Sequence, residues 1–93
     1  MRVMLKFKIP VDRGNETAED GSLGRAIDDV TARVGAEAAY FFVEDGMRAG
    51  ILIFEAAHGQ DIMHINETLF QAVDAEIDVT PVLTLDELHK GFD

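Results

Sequence analysis

Apolar and polar residues alternate along residues 2–10, with Val3, Leu5, Phe7 and Ile9 on one side and Met4, Lys6 and Lys8 on the other. That period of two predicts a strand, ended by Pro10. Residues 11–21 (VDRGNETAEDG) are rich in Gly, Asn and acids and read as a loop, carrying at most a short turn over 17–20. Ser22 reads as the N-cap of a helix whose apolar stripe is Leu23, Ile27, Val30 and Val34, stopped by Gly35. Two apolar runs, 38–43 and 47–54, follow on either side of Asp45-Gly46 and predict a β-hairpin. A second helical pattern places Ile62, Ile65, Leu69 and Val73 on one face, flanked by Met63 and Phe70, with His64, Glu67, Thr68 and Gln71 opposite. Residues 76–83 alternate again, and Pro81, which cannot donate to a ladder, predicts an edge strand. Thr84-Leu85-Asp86-Glu87 is a capping box, with Leu83 and Leu88 as its hydrophobic staple, and predicts a last helix from Leu85 to about Lys90.

The hairpin register decides which side chains meet. A three-residue Glu-Asp-Gly loop with Gly46 left-handed closes in a G1 bulge and sets Phe42 opposite Arg48 and Tyr40 opposite Gly50. Tyr40, Phe42, Arg48, Gly50, Leu52 and Phe54 then share one side; Phe41, Val43, Met47, Ala49, Ile51 and Ile53 share the other. A strict two-residue Asp-Gly turn slips the pairing by one and puts Arg48 among the aliphatics. The bulged register is the expectation adopted, because it leaves one face wholly apolar and fit to lie under helices.

The order β-α-β-β-α-β is the split βαβ, a ferredoxin-like α+β arrangement. It implies a four-stranded antiparallel sheet of order 4-1-3-2, with right-handed crossovers holding the helices on one face. Residues 1–93 make one such domain, too short to divide its core. The other face is left bare, and it carries Met4, Tyr40, Phe42, Leu52 and Phe54 beside Lys6, Arg48, Asp78 and Thr80. An apolar area of that size predicts a homodimer through the sheet faces.

Charge and composition narrow the functional classes. Eight Lys and Arg against 18 Asp and Glu give a formal charge of −10, which repels phosphate backbones and speaks against a nucleic-acid partner. The absence of cysteine removes disulfides, thiolate metal sites and a Cys nucleophile. No apolar run approaches the roughly 18 residues of a membrane span, and the first residues lack a signal-peptide pattern, so no membrane partner and a cytoplasmic location are expected. No phosphate-binding glycine motif is present. Asp61 and His64 alone are too few for a metal site; neither metal nor cofactor is assigned.

Lys6, Tyr40, Phe42, Arg48, Phe54, Asp78 and Thr80 are the candidate site. They read as a pocket for a small anionic or aromatic molecule, with Arg48 clamping a carboxylate, Tyr40 as donor or proton shuttle, and the phenyl rings as walls. The competing reading pairs Lys6 and Arg48 with Asp78 or Glu76 inside a dimer interface, where they only set its register.

The stretches 6–10 (KFKIP), Gly14-Asn15, 20–24 (DGSLG), 38–41 (AAYF), 44–48 (EDGMR), and Pro81-Val82 followed by Asp86 and Leu88 carry a resemblance. Over nearly its full length the chain resembles the dimeric α+β barrel superfamily, and within it a group of small bacterial proteins. That superfamily includes cofactor-independent monooxygenases, haem-degrading enzymes, lactone isomerases and stress-responsive binding domains. The resemblance implies a dimer enclosing a barrel interior. It leaves open a binding protein, an oxygenase- or isomerase-type enzyme acting on an aromatic or lactone substrate, and a purely structural dimer. Haem-degrading members rely on a pocket tryptophan, and this chain has none.

Overall fold

Eight elements follow one another in the computed structural model, which describes residues 1–92: β1 (Arg2–Ile9), α1 (Val11–Asp20), α2 (Ser22–Val34), β2 (Ala38–Glu44), β3 (Met47–Glu55), α3 (Gly59–Val73), β4 (Glu76–Pro81) and α4 (Leu85–Phe92). The strands form one antiparallel sheet in the order β2-β3-β1-β4. Helices pack on one face only. This is the ferredoxin-like α+β fold, with β4 at an edge as Pro81 demands.

Alternation in β1 buries Val3, Leu5, Phe7 and Ile9 against the helices. Leu52 and Phe54 of β3 join them from the same side of the sheet, and Val30, Ile65, Leu69 and Val73 close the core from α2 and α3. The spacing of four between Ile65, Leu69 and Val73 is what aims α3 at the sheet. No helix among the described residues is long and apolar enough to cross a membrane.

Residues 11–20 are a helix, not the expected loop. Local propensity argues against it, since Gly, Asn and Thr are weak helix formers. Tertiary contacts override that weakness. Gly14 and Thr17, one turn apart, are the buried positions, and the Thr17 hydroxyl donates to the Arg13 carbonyl at 2.8 Å. Arg13 in turn donates to the Ala72 carbonyl at 3.0 Å, tying α1 to the end of α3. The start of α2 also differs: Ser22 is its first helical residue, and both its backbone N–H and its hydroxyl donate to the Asp20 carboxylate, at 2.8 and 2.6 Å. Those two bonds, the hydroxyl's first, hold the Asp20 pKa below its ordinary value.

The hairpin turn is the second correction. Asp45 and Gly46 both take positive φ, 53° and 74°, which is the two-residue type I′ turn. Glu44 therefore pairs with Met47, Val43 with Arg48, Phe42 with Ala49 and Phe41 with Gly50. The bulged register is one residue out, and Arg48, Gly50, Leu52 and Phe54 lie on the helix side with Phe41 and Val43. Tyr40 and Phe42 share the bare side with Met47, Ala49, Ile51 and Ile53.

The capping box of α4 is formed as expected: the Glu87 N–H donates to the Thr84 hydroxyl at 3.2 Å, and the Thr84 N–H donates to the Glu87 carboxylate at 3.1 Å. Bonds from the Thr84 backbone and hydroxyl lower the Glu87 pKa. α4 runs on to Phe92, past the expected stop, yet none of its residues is buried. Thr84→Ala is accordingly expected to melt α4 alone. Amide exchange at Glu87 and Leu88 should quicken by the roughly 1 kcal/mol of a lost N-cap, with the urea midpoint of the core unchanged. A shifted core midpoint would mean that α4 packs on the domain.

The radius of gyration is 14.2 Å, against about 12 Å for a compact domain of this length. The excess comes from projecting parts. α4 exposes Leu85, Leu88 and Phe92, and β2 exposes Tyr40, Phe41, Phe42 and Val43.

Candidate functional site

The observed register divides the seven expected residues between two faces. Lys6, Tyr40, Phe42, Asp78 and Thr80 lie on the bare side of the sheet, whereas Phe54 and the exposed Arg48 lie on the helix side. Phe54 is buried in the core. On the bare side Lys6 stands opposite Asp78 in register, but its ammonium crosses β3 to the Glu44 carboxylate, 2.6 Å away. Lys8 does likewise toward Asp45, at 3.2 Å. Hydrogen bonding to Asp45 raises the Lys8 pKa. The expected pairing of Lys6 with Asp78 or Glu76 is therefore not formed. Asp78 and Thr80 are exposed on β4, Tyr40 is exposed on β2, and no proton-transfer chain joins them.

A half-open space on the opposite face was not expected from the sequence. A cleft of about 190 Å³ opens between the sheet and α2. Phe7 and Ile9 of β1 floor it, Leu23 and Ile27 of α2 roof it, and Phe41 with Phe42 closes the β2 side. The α2 residues stand four apart and so face the same way. Among the described residues Arg48 is its one charged lining residue. Its guanidinium leans on α1, where an Nη1 hydrogen donates to the Asn15 side-chain oxygen at 3.0 Å. Gly14 permits that approach, since a Cβ there would stand 2.8 Å from Arg48 Nη1.

Four basic residues rise from the sheet, and three of them are ion-paired: Arg2 with Glu37 and Glu87, Lys6 with Glu44, Lys8 with Asp45. Arg48 is paired only with a neutral amide among the described residues. In a chain of formal charge −10, that leaves a cation at the rim of an apolar space with its charge unanswered by the described residues. A guanidinium so placed fits a carboxylate, whose two oxygens match its fork of N–H donors.

No family model matches the sequence, and no curated protein sequence does. Among solved structures, the de novo designed protein Ferredog-Diesel is similar, with a TM-score of 0.54 and 15% identity over 87% of this chain and 85% of that one. At that identity the likeness is one of fold.

Proposed function

We propose that the protein binds a small apolar carboxylate, aromatic or branched, in the cleft beneath α2, with Arg48 and Asn15 at its mouth. The observation that carries this reading is the Arg48 guanidinium, without a carboxylate partner among the described residues, beside walls made of Phe7, Ile9, Leu23, Ile27 and Phe41. The site keeps the anion-binding role expected for Arg48 but moves it from a barrel interior to the helix side. The volume suits a ring or short branched chain rather than a larger ligand, because typical drug-sized sites start near ~300 Å³. Binding is favoured over acid–base catalysis, since among the described residues no His, Asp, Glu, Tyr or Lys lines the cleft.

Benzoate, phenylacetate and 3-methylbutanoate should each raise the melting temperature, and their matched alcohols should not. Arg48→Met keeps the aliphatic stem against the cleft but removes the charge, so carboxylate affinity should fall at least about tenfold, the loss of one charge-assisted pair. Absence of any carboxylate-dependent shift, or a shift that survives Arg48→Met, would sink the proposal. Gly14→Ala offers an independent check. The added methyl displaces only the end of a flexible side chain, and alanine improves the helix by up to about 1 kcal/mol. Stability should hold or rise while carboxylate affinity drops.

A second reading, self-association, has its own support. The bare side presents Met4, Tyr40, Phe42, Met47, Ile51 and Ile53, with Lys6 and Lys8 neutralised by Glu44 and Asp45. A second copy is the partner such a surface fits, and light scattering should then give about twice the 10.2 kDa chain mass. A monomer at micromolar concentration would remove this reading and leave carboxylate binding untouched.

A further inference from the structure

We infer that two copies join edge to edge through β2, merging their sheets, with the two-fold axis at Phe41. This rests on self-association but assigns it to the outer edge of β2 instead of the stacked sheet faces. Three observations converge on that edge.

The first is hydrogen-bonding parity. A two-residue hairpin turn makes Glu44 and Met47 a hydrogen-bonded pair, and the alternation continues through Phe42–Ala49 and Tyr40–Ile51. Ala39, Phe41 and Val43 therefore direct their N–H and C=O groups away from β3. β2 is the last strand on its side of the sheet, so those groups face outward with no strand beside them. An antiparallel copy centred on Phe41 pairs Phe41 with the partner's Phe41, and Ala39 with the partner's Val43. Every outward N–H of the three residues then meets an outward C=O. No other register centred within 39–43 pairs all three: a centre at Tyr40 sets Val43 against the partner's Glu37, and one at Phe42 sets Ala39 against the partner's Asp45, both beyond the ends of β2.

The second observation is side-chain fit. The same register sets Tyr40 across from the partner's Phe42 on the bare side and joins the two Phe41 rings on the helix side. Aromatic cross-strand pairs are among the more favourable ones. At present Tyr40 is 63%, Phe41 54% and Val43 75% exposed, so this strand shows apolar side chains to water on both faces. β2 also carries neither Lys nor Pro, the residues that usually guard an open edge.

Charge is the third. Acids flank β2 at both ends, and in an acidic chain they should keep copies apart. Each is held by a cation of its own chain: Glu37 by Arg2, Glu44 by Lys6 and Asp45 by Lys8. The ends of the edge are thus neutralised by side chains reaching across the sheet from β1. Phe41 also walls the cleft beneath α2, so the partner's Phe41 would lie beside that wall.

Hydrogen exchange on the native protein, with light scattering, tests this assignment. A dimer is expected in which the amides of Ala39, Phe41 and Val43 are protected and become unprotected on dilution to monomer. Val43→Pro removes an outward donor without taking one from β3, and by symmetry it deletes two bonds, so the dimer should weaken at least about tenfold. Ile53→Gln, on the bare face, should leave the dimer intact. A monomer up to about 100 µM would overturn both this inference and the self-association it rests on. A dimer whose Ala39, Phe41 and Val43 amides exchange freely, or one dissociated by Ile53→Gln and not by Val43→Pro, would overturn the edge assignment alone.

Discussion

Phe7→Ala is expected to cost about 3–5 kcal/mol, a large share of the roughly 5–15 kcal/mol that holds a whole domain. Phe7 sits at the centre of β1, the strand flanked by β3 and β4, and is 1% exposed. Its ring lies 6.4 Å from that of Phe41, tilted by 56°, and covers Gly50 across the strand pair. Removing the ring strips the cover from a strand glycine and opens the core toward the cleft that Phe7 already walls. Neighbours held on β1 and β3 cannot close that gap, so the cavity term adds to the transfer term. Thermal melting should show a fall of about 15 °C or more. Phe92→Ala, at a residue 78% exposed, should leave the midpoint unmoved and serves as the control. A Phe7→Ala loss below about 1 kcal/mol would mean that the ring is not packed as described.

Much of this fold is readable from residue patterns because the signals agree with one another. β1 shows its buried face through Val3, Leu5, Phe7 and Ile9 without ambiguity. Pro81 marks an edge, Gly35 ends α2 in a left-handed cap, and Thr84 with Glu87 announces α4. Two places resisted, each for a physical reason. α1 has the composition of a loop, and what makes it helical lies elsewhere in the chain: the Ala72 carbonyl that receives Arg13, and the Arg48 side chain that Gly14 admits. In the hairpin, Asp45-Gly46 is compatible with two turns, and the choice rests on whether Asp45 accepts a positive φ, which Asp tolerates better than most residues.

That single choice moved Arg48 and Phe54 to the other face, and with them the site. Both faces of β3 are apolar, Gly50-Leu52-Phe54 and Ala49-Ile51-Ile53, so alternation could not arbitrate the register. The lining residues Phe7, Ile9, Leu23 and Ile27 were visible only as core positions. Gly14-Asn15 was the available pointer, since a glycine followed by an amide in a segment without other structural signals invites the question of what comes close to it.

Gly50→Ala tests the register itself, and the expected result is a loss of about 1–3 kcal/mol by overpacking. In isolation the change should help, because glycine in a strand interior is roughly 0.5–1 kcal/mol worse than alanine. Sterics decide the sign. An alanine Cβ would stand 2.7 Å from Phe7 Cζ and 2.9 Å from Phe41 Cδ1, and neither ring is the end of a flexible chain that can swing aside. The rings of two strands meet over the missing side chain of a third between them, which only the two-residue turn brings about. Phe7→Leu should relieve the clash. Alone it costs stability by losing aromatic contact, but in the Gly50→Ala background it should cost at least about 1 kcal/mol less, a coupling expected only of side chains in contact. Urea midpoints of the four proteins measure it. A neutral or stabilising Gly50→Ala would place Gly50 under no ring, and the bulged register, with Tyr40 opposite Gly50 and Arg48 on the bare face, would then regain its claim.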